Sequence, residues 1–183
     1  MKKASILILA LVMLFAMSGC GEKQELKSPE TAQREVVSNF FDSLRAGNFQ
    51  KANDCLTEPI DFGFDLSKVP EEGKLLFSKL SYTINGIKEN ESLDVDVTMI
   101  DVNSELTSFA TKNIGLLKDR DVEGLKNALR QRLEADDIKM KTSNVNIKLE
   151  ERNGEYKILR DDSLTNALVG NALELANKLG VLK

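Results

Sequence analysis

Histidine and tryptophan are absent from this sequence, cysteine occurs twice and proline three times. Without histidine there is no imidazole to serve as a general acid or base, and the commonest metal ligand is missing as well. Two cysteines cannot build a cysteine-rich zinc site, so no metal and no cofactor is expected. Eight Phe and two Tyr must supply any aromatic surface. The formal charge is −4, with no long basic run. That is not the footprint of a nucleic-acid binder, nor of a chain held to anionic lipid by clustered Lys and Arg.

What the sequence does have begins at its first residue. Lys2 and Lys3 precede an apolar run, Ala4 to Met17, which ends in Ser18-Gly19-Cys20-Gly21. A short basic head, an apolar core and a small-residue end are the parts of a secretory signal peptide. The end resembles a bacterial lipobox. The resemblance implies cleavage between Gly19 and Cys20, with a lipid thioether on Cys20. The expected organisation is a signal peptide over 1–19, a lipidated Cys20 and tether over 20–27, and one domain over 28–183. A retained transmembrane helix is the competing reading, since no residue from Ala4 to Gly21 is charged and about 17 residues can span. The clearly apolar part, however, ends at Met17, the length of a signal core. Extended at about 3.3 Å per residue, Glu22 to Lys27 lifts the domain only some 20 Å from the bilayer. The expected location is the extracytoplasmic face of the cell membrane, and Cys55 is then the only other cysteine. Its place on an apolar helical stripe reads as a small hydrophobe.

Ser28-Pro29-Glu30 opens a helix with a cap residue, Pro at the first position and an acid in the first turn. Val36, Val37, Phe40, Phe41 and Leu44 form its stripe, and Gly47 ends it. Asn48 caps a short second helix carrying Phe49, Ala52, Cys55 and Leu56, which Glu58-Pro59 stops. After the loop Ile60 to Val69, Pro70-Glu71-Glu72 starts a third helix with Leu75, Leu76, Phe77 and Leu80. The period then drops to two. Tyr82, Ile84 and Ile87 predict a strand with a kink or bulge at Gly86. Beyond the Glu89-Asn90-Glu91 turn, Leu93, Val95, Val97 and Met99 alternate with Asp94, Asp96 and Thr98 in a half-buried strand. Helical spacing returns through Leu106, Phe109, Ala110, Ile114 and Leu117, and Asp121 caps a further helix through Leu133. Val145, Ile147 and Leu149 predict the next strand. Asn153-Gly154 is a strong hairpin signal, joining it to Tyr156, Ile158 and Leu159. Asp162 or Ser163 then caps a last helix, from Leu164 through Leu179 to Gly180. The pattern is α+β: helices first, antiparallel strands, a helical insertion, and a closing helix.

The runs FFDSLRAGNFQKA, NGEYKI and GEYKILRDDSL resemble members of the nuclear transport factor 2-like superfamily, among which small bacterial lipoproteins of uncharacterised function are common. The resemblance covers Ser28 to Asp162. It implies a cone, in which a curved antiparallel sheet wraps the N-terminal helices. The helices between Val102 and Asp137 depart from that pattern as an insertion. Enzymes of the superfamily move protons with Asp, His or Tyr inside the cone, but no residue here aligns with such a position, so no catalytic residue is assigned.

Phe40, Phe41, Phe62, Phe64 and Tyr82 are the candidate lining of an apolar pocket, with plain core as the alternative. Asp94 and Asp96 share a strand face and form a carboxylate pair; their apolar neighbours point inward, so the pair belongs to a solvated outer face. Asp61 and Asp65 flank a Gly but lack the rest of a calcium loop. Asp161-Asp162-Ser163 reads as helix capping, Lys118-Asp119-Arg120-Asp121 as a solvated turn, and Arg130-Gln131-Arg132 as a small basic spot.

Three functions follow: non-catalytic binding of a small apolar ligand or a cell-surface protein, carboxylate or Tyr acid-base catalysis in the cone, or envelope assembly through a homodimer on the outer sheet face. An enzyme requires a buried acid with a raised pKa beside a polar cavity; a binding module requires an open apolar cavity without one. The anchor is tested separately. Cys20→Ser is expected to move the protein from the membrane pellet to the soluble fraction, and a variant that still pellets rules out lipid at Cys20.

Overall fold

Burial of one strand between its two neighbours and a pair of phenylalanines sets the architecture. A computed structural model describes residues 28–61, 65–66, 68–88 and 92–170. The signal segment 1–19, Cys20 and its tether, Phe62, Phe64, the Glu89–Glu91 turn and the later half of the predicted last helix lie outside the described residues. In chain order the elements are α1 (Pro29–Arg45), α2 (Phe49–Asn53), α3 (Glu71–Ser78), β1 (Ser81–Ile87), β2 (Leu93–Ile100), α4 (Val102–Lys112), α5 (Ile114–Asp119), α6 (Val122–Glu134), β3 (Met140–Ile147), β4 (Leu149–Arg152), β5 (Glu155–Ile158) and α7 (Asp162–Leu168). The fold class is α+β, as the sequence pattern predicts.

α1 starts where its capping chemistry places it. The Ser28 hydroxyl accepts the Thr31 N–H at 3.2 Å, Pro29 fills the first turn, and Glu30 pairs with Arg34 at 3.0 Å. Val37, Phe40, Phe41 and Leu44 are fully buried on one face. That face belongs to the same core as β2, whose Leu93, Val95, Val97 and Met99 are buried in strict alternation. Each such side chain contributes about 1.5–3 kcal/mol by leaving water. Val145 and Ile147 of β3, Ile158 of β5, and Leu164, Ala167 and Leu168 of α7 complete the same core.

β2 is the central strand of an antiparallel three-stranded sheet in the order β1-β2-β3, and β4 and β5 form a separate antiparallel pair. The β1–β2 register slips between Ile84 and Gly86, so the predicted irregularity falls on Asn85. The outer sheet face is polar. Thr98 and Thr142 share a hydrogen bond of 2.7 Å, and the Asn144 amide donates to both Asp94 and Asp96 at 2.7 and 2.8 Å. The paired carboxylates are therefore bridged on the solvated face, and Asn144, then Asn85, holds the Asp96 carboxyl below its ordinary range.

Several boundaries differ from the sequence reading: the predicted helical pair of the insertion is three helices, divided at Asn113, and α7 stops at Leu168 before Gly170 instead of running on. The strand predicted around Val145–Leu149 begins earlier, at Met140, and breaks after Ile147. Ile147 pairs with Leu93, the first residue of β2. With no partner left there, the chain turns to β5, where Leu149 pairs with Ile158. The cap of the last helix is Asp161 rather than Asp162 or Ser163. Its carboxylate accepts the Leu164 N–H and the Ser163 hydroxyl. The β4–β5 turn is as predicted: Asn153 and Gly154 both take positive φ, 56° and 82°, which the tight hairpin turn demands.

β2 and β3 form a hairpin whose turn is replaced by the three helices α4–α6. The ladder runs from Leu93↔Ile147 to Ile100↔Met140, and Asp101 N–H continues it to Lys139 O at 2.8 Å. The predicted helical insertion is thus a closed excursion between neighbouring strands.

Gly170 follows α7 with φ of +59°, and a Cβ there would lie 2.1 Å from the Ile100 carbonyl oxygen and 2.7 Å from Val102 Cγ2. Gly170→Ala is expected to cost about 3 kcal/mol in urea unfolding, from left-handed strain plus overpacking. Gly86→Ala, where a Cβ meets nothing within 4 Å, should stay within about 0.5 kcal/mol.

Candidate functional site: an apolar cleft under the helical insertion

The helical insertion is built from local caps. Asp101 caps α4, accepting the Ser104 N–H at 3.2 Å and the Ser104 hydroxyl at 2.7 Å. Arg120 takes a left-handed φ of 55° to end α5, and Asp121 caps α6 by accepting the Gly124 N–H at 2.9 Å. The predicted exposed turn is confined to Arg120 and Asp121, since Lys118 and Asp119 are the last residues of α5.

One ionic clasp then fixes α4 to α6 and both to the sheet. Glu105 on α4 is 7% exposed. Arg132 on α6 grips it with two nitrogens, Nε on Oε2 at 2.5 Å and Nη2 on Oε1 at 2.9 Å. The Lys139 N–H, just before β3, donates to the same Oε1 at 3.0 Å, and Arg132 Nη1 holds Asp137. A bidentate guanidinium–carboxylate pair is the strong form of such a contact. The Arg132 hydrogen bond is the main reason that both the Glu105 and Asp137 carboxyls lie below their ordinary ranges, and the two acids raise Arg132 in turn. The small basic spot read at Arg130–Arg132 is therefore divided between ion pairs: Arg132 serves this clasp, and Arg130 meets Glu72 on α3 at 3.4 Å.

Beside the clasp lies a cleft of about 410 Å³. Leu76 of α3 and Ile100 at the end of β2 form one side, with Leu133 and Ile138, which belong with Ile100 to a small second core. Val102, Leu106 and Phe109 of α4 and Leu129 of α6 form the rest of the apolar wall. Leu106 and Leu129 are 51% and 38% exposed, so the cleft is open to solvent along these two side chains. The charged groups on it, Glu105 and Arg132 within and Glu72 at its edge, all have ion-pair partners. Its volume lies in the lower part of the range of small-molecule pockets, about 300–1,000 Å³.

The sequence candidates lie elsewhere. Phe40 and Phe41 are wholly buried and pack edge to face with centroids 5.1 Å apart. Tyr82 stacks on Phe41 at 4.8 Å, and its hydroxyl donates to Asp42 at 3.2 Å. The three are brought together as core, and burial pushes the Tyr82 phenol up. Phe62 and Phe64 are outside the described residues. Cys55 is half-buried, its thiol pushed up chiefly by burial, which makes it a weak nucleophile. Among the described residues, no three His, Cys, Asp or Glu side chains converge as a metal site, and no helix is long and apolar enough to cross a membrane.

The cleft had two signals in the sequence. Residues 102–134 carry large apolar side chains at Leu106, Ile114, Leu117, Val122 and Leu129 that stay exposed, and Glu105 has no cation three or four positions away on its helix. The first implies a surface left over, the second a distant partner.

The clasp makes stability pH-dependent in a defined direction. Folded pKa values lowered at Glu105 and Asp137 mean that their contribution is complete above the ordinary values of 4.5 and 3.8 and is lost as pH falls through the lowered ones. Urea midpoints of the wild type should fall as pH is taken from neutral to about 3. Glu105→Gln is expected to be less stable at neutral pH and to show a flatter acid slope; an unchanged slope would remove the clasp from this role.

Comparison with protein-family models, curated proteins and solved structures found no match for this chain.

Proposed function

We propose that this is a lipid-anchored extracytoplasmic domain that binds a small apolar molecule in the cleft between α3, α4 and α6, without catalysis. The observation that carries this reading is the cleft itself: an apolar wall, open to solvent, whose charged neighbours are already paired. A ligand there gains by burying hydrocarbon and loses no hydrogen bond.

Acid-base chemistry is the weaker reading. A proton-transfer site needs an acid pushed up toward neutrality, and the acid at this cleft, Glu105, is shifted the other way by Arg132. The cone of the nuclear transport factor 2-like superfamily remains our reading of the strands and the helices before them, with α4–α6 as the addition that makes the site. In the anchored protein the cleft lies away from the tether. The tether joins α1 at Ser28, where Ala32 and Val36 border a groove shared with the β4–β5 hairpin. α1 is 17 residues long, about 25 Å, and α3 packs near its far end, where Gly47 lies against Lys74.

Protein binding is favoured by a separate observation. Ile114, Leu117 and Val122, around the α5–α6 turn, are 53%, 42% and 60% exposed. If an assembly surface exists, these side chains favour the insertion over the polar outer sheet face.

The cleft reading is tested with the processed chain, residues 20–183, made soluble by Cys20→Ser. The neutral dye phenylnaphthylamine should brighten on binding in a saturable way. Leu129→Asp, which places a charge on the exposed wall, should abolish the signal while the far-UV circular dichroism stays unchanged. Equal dye binding by wild type and Leu129→Asp would place the binding elsewhere.

A further inference from the structure

The cleft and its mouth differ in chemistry. Inside, Arg132 directs Nε, Nη1 and Nη2 at Glu105 and Asp137, and Glu105 also receives the Lys139 N–H. That charge is committed, and it leaves the interior suited to hydrocarbon alone. Next to Glu72, which lines the cleft, stand two cations of α6 four residues apart and so on one helical face. Arg130 Nη2 meets Glu72 Oε1 at 3.4 Å, and Lys126 Nζ meets Glu123 Oε1 at 3.2 Å. Both cations are about half exposed, at 47% and 57%. A guanidinium has five N–H donors and an ammonium three, so each can take a further acceptor without releasing the pair it already has. Glu72 reports the local field: its carboxyl is held below its ordinary range, first by a backbone N–H of its own helical turn, then by Arg130 and Lys126.

We infer, building on the binding reading above, that the ligand is a long-chain carboxylate, with its alkyl tail in the cleft and its head group at Arg130 and Lys126. About 410 Å³ of apolar space suits one hydrocarbon chain, and the guanidinium fork matches a carboxylate in geometry as well as in charge. The Glu72 carboxylate stands beside the head group and repels it, which makes it the residue that limits affinity.

Three probes of equal chain length separate tail from head: decanoate, decanol and decyltrimethylammonium, each titrated against the processed Cys20→Ser chain by displacement of phenylnaphthylamine. Decanoate should bind tightest, and its advantage over decanol should shrink as salt is raised. Arg130→Gln should weaken decanoate by up to about fivefold, the range of a solvent-exposed ion pair, and leave decanol unchanged. Glu72→Gln should tighten decanoate. If the dye binds but decanoate and decanol are equal, or Arg130→Gln has no effect, the carboxylate assignment is wrong while the apolar cleft stands. If neither the dye nor any probe binds, both fall.

Discussion

The burial of β2 is the constraint on which the rest of the molecule depends. Its four alternating side chains, Leu93 to Met99, are nearly inaccessible to solvent, buried in one core with Phe40 and Phe41 of α1 and Leu164 and Leu168 of α7. A strand covered in this way needs neighbours for its backbone on both sides, since an unpaired buried N–H or C=O costs about 1–3 kcal/mol. β1 and β3 supply them. The polar outer face follows, because alternate residues of the same strands must point away from α1. Asp94 and Asp96 stand there as a consequence of the pleat, and the Asn144 amide relieves part of their mutual repulsion.

The insertion obeys a different logic. It is too small to bury all its apolar surface, and it shares only a narrow second core, Ile100, Leu133 and Ile138, with the sheet. An ionic clasp therefore does what packing does elsewhere. Glu105, Arg132, Asp137 and the Lys139 N–H tie two helices to one strand end with directional bonds. Directional bonds can hold helices apart, whereas further apolar packing would draw them together. The same arrangement that secures α4 and α6 leaves the cleft between them and α3 unfilled. Position and opening have one cause.

Much of the fold was legible because it rests on local chemistry. The Ser28 cap, the Asn48 cap, the alternation from Leu93 to Met99 and the Asn153-Gly154 turn each act over a few residues, and each appears where it was expected. The start of β3 was not legible. Met140 to Asn144 are mostly polar or exposed and have no apolar row, so their strand character comes only from pairing with β2. The break after Ile147 depends on where β2 begins, which β3's own residues do not encode. The candidate cleft was not legible for a related reason. Phe40, Phe41 and Tyr82 looked like a pocket because aromatic spacing does not distinguish a lined cavity from a filled one. Arg132 looked like surface charge because its partner is 27 positions away. Ion pairs between elements leave no periodic trace.

The hairpin that carries α4–α6 also bears on the order in which the molecule assembles. β1 and β2 are joined by a short connection and can pair early, with α1 available to cover them. β3 must find β2 across the whole excursion 101–139. Loop-closure entropy grows by about 0.6 kcal/mol per doubling of length, so closing that ladder around an unstructured chain costs roughly 2–3 kcal/mol more than closing a two-residue turn. The penalty shrinks once α4 and α6 have docked and brought Asp101 beside Lys139. The clasp thus acts twice, first as the gate to the final strand pairing and afterwards as the wall of the cleft. On this entropy argument, addition of β3 across the excursion is expected to be slower than pairing of β1 with β2.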